Sequence, residues 1–204
     1  MLGRLLAPLM RRHMAMRRNQ FDVLPLPEGR VLFLGDSITE GGHWNEWFPH
    51  CPTVNRGVGG DTVDGVRGRL ATAVNRPAAI SLLIGTNDLN GQGRTAKVPG
   101  IEAQFEALVH EIRALAPDAP LIVNGVMPRG AKWAGRIREL NARYAAIAGD
   151  AYVDLWPALA DGDALRASYT GDGLHLNGHG YQAWVDVLRP RLEAVLGDSP
   201  VRSA

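Results

Sequence analysis

Short apolar runs that stop at a turn, each followed by a helical period, constrain this chain more than any other feature. Val31-Leu32-Phe33-Leu34 ends in Gly35, and Ala79-Ile80-Ser81-Leu82-Leu83-Ile84 ends in Gly85. Both read as strands buried on two faces, because a strand wet on one side would alternate polar with apolar. Thr53-Val54-Asn55, Leu121-Ile122-Val123 and Tyr152-Val153-Asp154-Leu155 supply three more. Between them, Ile101, Phe105, Leu108, Ile112 and Leu115 recur at steps of three and four, the face of an amphipathic helix bounded by Pro117 and Pro120. Ile137, Leu140, Tyr144 and Ile147 mark another helix. Tyr181, Trp184, Leu188, Leu192 and Val195 mark the last, with a bend expected at Pro190. Asp61 is expected to cap a helix over about 62–75. Strands alternating with helices predict an α/β fold, a five-stranded parallel sheet covered on both sides as a three-layer α/β/α sandwich.

The first twenty residues stand apart. Arg4, Arg11, Arg12, Arg17 and Arg18 occur with no acid before Asp22, and Leu2, Leu5, Leu6, Leu9, Met10, Met14 and Met16 can form an apolar side. A basic amphipathic helix touching anionic lipid or a partner subunit fits this pattern. So does a helix packed on the domain surface, or a frayed terminus. Pro25 and Pro27 divide this arm, residues 1–27, from a domain over 28–198 and a tail over 199–204.

Composition narrows the function. With 22 basic against 21 acidic residues, the chain lacks the basic excess of a nucleic-acid binder. Cys51 is the only cysteine, so no intramolecular disulfide forms. No run reaches the ~18–20 apolar residues of a membrane span. Leu5-Leu6-Ala7-Pro8-Leu9-Met10 is too short for a signal-peptide core and runs into Arg11-Arg12. The expected location is cytoplasmic, and a homodimer is compatible with the composition.

In parallel sheets, ligands bind beyond the carboxyl ends of the strands. Ser37, the Gly57–Asp61 loop and Asn87 all follow strands directly, so three separated segments are expected to meet at one edge. Ser37 lies in Gly35-Asp36-Ser37-Ile38-Thr39, and Asp172-Gly173-Leu174-His175 places a carboxylate three residues before an imidazole. Serine holds its proton at neutral pH, and it becomes a nucleophile when an imidazole accepts that proton and a carboxylate orients the ring. Taken alone, Ser37 reads first as a helix cap, and Asp172 with His175 can be a surface turn.

Gly57-Val58-Gly59-Gly60-Asp61-Thr62 exposes backbone N–H groups, suited to an oxyanion or to a phosphate. Asn87 in Gly85-Thr86-Asn87-Asp88 offers an amide donor to the same oxygen, or simply turns the chain. His175 and His179 are four apart, but a zinc site needs further ligands that no motif supplies. Asp36 and Asp88 read as local scaffold. Asp154 is a rival acid, His43 a residue that can line the pocket, and Trp44 and Trp47 an aromatic surface for a sugar or apolar alcohol, or ordinary packing. The loop over 90–97 is a candidate gate.

These blocks, in this order, resemble the SGNH (GDSL-type) hydrolase family: Ser37 in Gly-Asp-Ser, Gly60 in Gly-Gly-Asp-Thr, Asn87 in Gly-Thr-Asn-Asp, and Asp172 with His175. The pattern is most similar to the platelet-activating-factor acetylhydrolase α-subunit group, through Asn55-Arg56-Gly57-Val58-Gly59-Gly60-Asp61-Thr62 and Met127-Pro128-Arg129-Gly130. The resemblance implies a flavodoxin-like fold and a serine esterase that forms an acyl-enzyme on Ser37. It implies a catalytic Ser37, His175 and Asp172 with no metal or cofactor. The oxyanion hole would come from the amides of Ser37 and Gly60 and the side chain of Asn87. It further implies an acyl pocket of Ile38, Thr86 and Leu174, sized for an acetyl-like group on a small-molecule ester. Gly173 departs from the larger residue of the α-subunits. Two alternatives stay open: acyl transfer to an acceptor other than water, and a non-catalytic nucleotide- or sugar-binding module.

Overall fold

The computed structural model describes residues 2–197; the expected tail over 199–204 lies outside them. The chain opens with α1 (Leu2–Val23), then β1 (Val31–Gly35), α2 (Ser37–Glu40), α3 (Trp44–Trp47), β2 (Thr53–Gly57) and α4 (Val63–Arg67). It continues through β3 (Ala79–Leu83), α5 (Thr86–Leu89), α6 (Val98–Leu115), β4 (Leu121–Asn124), α7 (Ala134–Ala148) and β5 (Tyr152–Val153). After α8 (Trp156–Leu159) come the short strands β6 (Ala160–Asp161) and β7 (Ala164–Leu165), and α9 (Gly178–Leu196) closes the domain.

The main sheet runs in the order β2-β1-β3-β4-β5, with every pairing parallel. Its strands have two dry faces, so alternate residues of β1 feed separate cores. Leu32 and Leu34 join Ile101, Phe105, Ile137 and Tyr144 of α6 and α7. Val31 and Phe33 join Trp44, Trp184, Leu188 and Leu192 of α3 and α9. Ring stacking is found in both layers: Phe105 lies on Tyr144 with centroids 3.5 Å apart, and Phe33 on Trp44 at 4.0 Å. The three-layer α/β/α architecture expected from the sequence is the one observed.

Four local expectations differ. The helix expected over 62–75 is only α4 followed by a 3₁₀ turn at Leu70–Thr72. Its cap is Thr62, whose hydroxyl accepts the Gly65 N–H, because Asp61 is engaged elsewhere. Of the two readings of Trp44, ordinary packing is the one observed: it is buried, with its indole N–H donated to the Thr39 carbonyl at 2.9 Å. Met16 is exposed while Met14 faces the domain, since two residues apart on a helix point to nearly opposite sides. The β6–β7 ribbon was missed, although Asp161-Gly162, with Gly162 at φ 60°, carries a hairpin signal.

The N-terminal arm is docked rather than frayed over its described side chains. Phe21 is buried, with the guanidinium groups of Arg56, Arg17 and Arg69 at 4.5, 5.0 and 5.9 Å from its ring. Cations favour the negative face of an aromatic ring, so one apolar residue anchors the helix among three basic ones. Among the described residues, no helix is long and apolar enough to cross a membrane.

Candidate active site

Ser37 is the first residue of α2, directly after β1. Asp36 caps that helix by accepting the Ile38 N–H at 2.9 Å, the loop-organising role expected of it. Burial pushes the Asp36 carboxyl up to about 7, with the neighbouring charge of Asp61 adding to it and the Ile38 N–H opposing. A carboxyl that takes up a proton so readily weighs less on negative charge forming beside it than a fixed carboxylate would.

His175 reaches Ser37 from the far end of the chain, with Nε2 3.0 Å from Oγ. Its Nδ1 lies 2.7 Å from Asp172 Oδ2. The other carboxylate oxygen accepts the backbone N–H groups of Leu174 and His175 at 2.9 and 2.8 Å. Partial burial opposes ionisation of Asp172, but the His175 side chain and these backbone donors outweigh it and hold the carboxyl well below its usual range. The turn requires Gly173 at φ 76°, in the left-handed region that favours glycine. The glycine that departs from the α-subunit pattern thus occupies a backbone conformation that favours glycine, with nothing within 4 Å of where a Cβ would stand.

At the end of β2 the chain makes a tight turn, closed by the Asp61 N–H donating to the Val58 carbonyl at 3.1 Å, with Gly60 at φ 74°. A Cβ at Gly60 would lie 2.7 Å from Met14 Cε of α1. Among the described residues, the Gly60 and Ser37 N–H groups make no hydrogen bond within the protein. Asn87, in α5 just after β3, donates one amide hydrogen to the Asp61 carbonyl at 2.8 Å and keeps the second. That bond ties the third segment to the second.

Beneath this surface, Asp61 receives the Arg69 Nε at 2.7 Å and a short ion pair from Arg18, while Arg69 also donates to the Gly35 carbonyl at 3.1 Å. One buried carboxylate thus joins the ends of β1 and β2 to α1. Asp88 is fully buried and accepts the Val63 N–H. Burial raises it to about 7, helped by the charges of Asp64 and Asp61 and opposed by that N–H. The scaffold reading of Asp88 is the one observed; the part of Arg69 and Arg18 was not legible beforehand.

Of the remaining candidates, Ile38 and Thr86 are buried and Leu174 is half-buried. Arg129, from the Met127–Gly130 stretch, donates to Thr86 Oγ1 at 3.4 Å and Asn90 Oδ1 at 3.0 Å and stacks on Trp133. Asp154 is exposed and accepts the Trp156 N–H, a local cap away from His175. His179 is exposed on the first turn of α9. Among the described residues, no three His, Cys, Asp or Glu side chains form a metal-ligating group. A groove of about 590 Å³ is lined by Gly41, His43, Glu46, Trp47, Leu176, Asn177, Gly178 and Tyr181; Leu176, the residue after His175, belongs to it, while Ser37, Asp172 and His175 do not. His43 and Trp47 are therefore pocket residues, whereas Trp44 is not.

Such a site can activate a hydroxyl through an imidazole oriented by a carboxylate, with backbone and amide donors next to it. The three-layer sheet and the segments gathered at its carboxyl edge define the class as that of the SGNH hydrolases. The chain belongs to the GDSL-like lipase/acylhydrolase family, whose sequence profile matches residues 33–183. It is 31% identical over 170 residues to the bovine (Bos taurus) platelet-activating factor acetylhydrolase IB subunit alpha1, covering 76% of this chain and 71% of that one. It is 30% identical over 189 residues to the human alpha2 subunit, covering 85% and 80%. Among solved structures, a GDSL-like lipase from Bacteroides thetaiotaomicron matches with a TM-score of 0.74 and 25% identity, over 89% of this chain and 97% of that one.

Proposed function

We propose that the protein is a serine esterase that hydrolyses short-chain, acetyl-like carboxylic esters through an acyl-enzyme on Ser37. The observation that carries this reading is the continuous series Ser37 Oγ, His175 Nε2, His175 Nδ1, Asp172 Oδ2, with spacings of 3.0 and 2.7 Å. As Oγ attacks the ester carbonyl carbon, Nε2 takes its proton, and Asp172 stabilises the resulting imidazolium. The Ser37 and Gly60 N–H groups and the uncommitted Asn87 amide hydrogen receive the oxyanion. His175 then protonates the departing alcohol, and water, deprotonated by the same nitrogen, releases the acid. No step requires a cofactor.

Ile38, Thr86 and Leu174 surround the acyl group, and the groove along Trp47 and Tyr181 takes the alcohol portion. The similarity to acetylhydrolase subunits supports a short acyl chain. A series of p-nitrophenyl esters tests this: kcat/KM should fall from acetate to octanoate, and a fluorophosphonate should add to Ser37 alone. Preference for octanoate would remove the short-chain assignment. Absence of a Ser37 adduct would remove the nucleophile.

A further inference from the structure

The basic helix at the amino end is a sequence feature that the esterase reading leaves unused, and besides the Arg18–Asp61 pair two of its residues face one carboxylate, that of Glu40. Glu40, the last residue of α2, accepts the Gly59 N–H through Oε2 at 2.6 Å. Its Oε1 faces Arg17 Nε at 3.6 Å and His13 Nε2 at 3.5 Å, both from α1. Arg17 Nε also donates to the Gly57 carbonyl at 3.3 Å, so α1 holds the same loop at two points.

Gly59 and Gly60 are consecutive glycines, the most freely rotating pair a backbone offers. Left untethered, the Gly60 N–H would sample many directions, and an oxyanion donor contributes only when it is pre-aimed. A charge-assisted bond to Gly59 fixes the peptide immediately before that donor. The drawback is a second negative charge near the place where the oxyanion forms, since a Cβ at Gly59 would lie 3.3 Å from Glu40 Oε2 and 3.8 Å from Ser37 Cβ. Arg17 offsets that charge.

We infer that Glu40 is a positioning residue that braces the Gly59–Gly60 turn for oxyanion binding, and that Arg17 of the N-terminal helix neutralises it. This inference rests on the esterase reading above. It gives the basic arm a task within the domain.

Steady-state hydrolysis of p-nitrophenyl acetate by the full chain tests it, with rates normalised to Ser37 sites titrated by a fluorophosphonate. Glu40→Ala should lower kcat roughly ten- to hundredfold with KM within about twofold, as expected for a lost transition-state contact. Glu40→Gln keeps an acceptor for the Gly59 N–H and should stay within about threefold of the native kcat. Arg17→Ala should lower kcat about fivefold in the native background and have little effect in the Glu40→Gln background, because the charge it offsets is gone. Amide exchange at Gly59 should quicken in Glu40→Ala and not in Glu40→Gln. Native kcat per titrated site in Glu40→Ala would overturn the inference while leaving the esterase reading in place. An inactive native chain would overturn the esterase reading, and this inference with it.

Discussion

Ser37 Oγ and His175 Nε2 lie 3.0 Å apart although 138 residues separate them in the chain. That approach depends on β1 delivering Ser37 to the carboxyl edge of the sheet and on the loop before α9 folding back over it. Tyr181 of α9 secures the return by donating its hydroxyl to the Ile38 carbonyl at 2.7 Å.

Replacing Ser37 by Ala should remove ester hydrolysis, lowering kcat by at least about 10³, because among the described residues no other hydroxyl stands within hydrogen-bond distance of His175. Ser37 Oγ has no packing role, so the melting temperature should hardly move. Initial rates and circular dichroism melts on the same sample check both halves. Full activity in the variant would end the assignment.

Asp172→Asn should lower kcat by roughly 10² to 10⁴, since the amide can no longer hold Nδ1 protonated and facing it. The backbone donors of Leu174 and His175 keep an oxygen acceptor, so the loop survives. In the native protein Asp172 is held well below its usual range. Its folded-state preference for ionisation stabilises the protein above the ordinary carboxylate range and is lost as pH falls through the depressed value. Acid unfolding at low pH should therefore weaken its pH dependence in Asp172→Asn, as seen in denaturant midpoints below pH 4.

Asp88 gives the opposite sign. Its carboxyl rises from 3.8 to about 7 on folding, chiefly through burial. The folded state thus binds a proton that the unfolded state releases, so stability declines as pH climbs between those two values. Asp88→Asn should remove a decline on the order of 4 kcal/mol between pH 4 and 7.5. Urea unfolding at the two pH values measures it, and an unchanged decline in the variant would show that Asp88 is not its source.

Trp44 and Trp47, three residues apart, should respond in different ways. Trp44→Ala opens a cavity between Phe33 and Trp184 and should destabilise the fold by about 3–5 kcal/mol. Trp47→Ala should leave stability within about 1 kcal/mol, because the ring is partly exposed in the groove. It should instead raise KM for acetate esters with bulky alcohols. Chemical denaturation and a leaving-group series separate the two effects.

Much of this architecture was legible before any coordinates. The continuous apolar runs of β1 and β3 announce two-faced burial, and the three-to-four spacing of Ile101, Phe105, Leu108 and Ile112 announces a helix against them. These are periodicities of local chain geometry, so a one-dimensional pattern carries them. Strand ends predicted only that Ser37, the Gly57–Asp61 loop and Asn87 meet at one edge. The roles of Ser37, Gly60, Asn87, Asp172 and His175 came from the resemblance to the SGNH family, since Asp-x-x-His alone also reads as a surface turn.

Other features could not be read this way. Nothing local distinguishes Trp44, stacked on Phe33, from Trp47 at the groove; a difference in which side of a four-residue helix faces the core decides it. Nor does any sequence signal pair Arg69 and Arg18 with Asp61, or Arg17 with Glu40, because ion pairs are made between elements that only packing brings together. The continuous apolar runs and the three-to-four helical period thus determined the sheet, its helices and the edge at which the site lies. The tertiary structure alone decided which charges neutralise one another there and what the basic N-terminal helix touches, since electrostatic partners are set by distance in space and not by position along the chain.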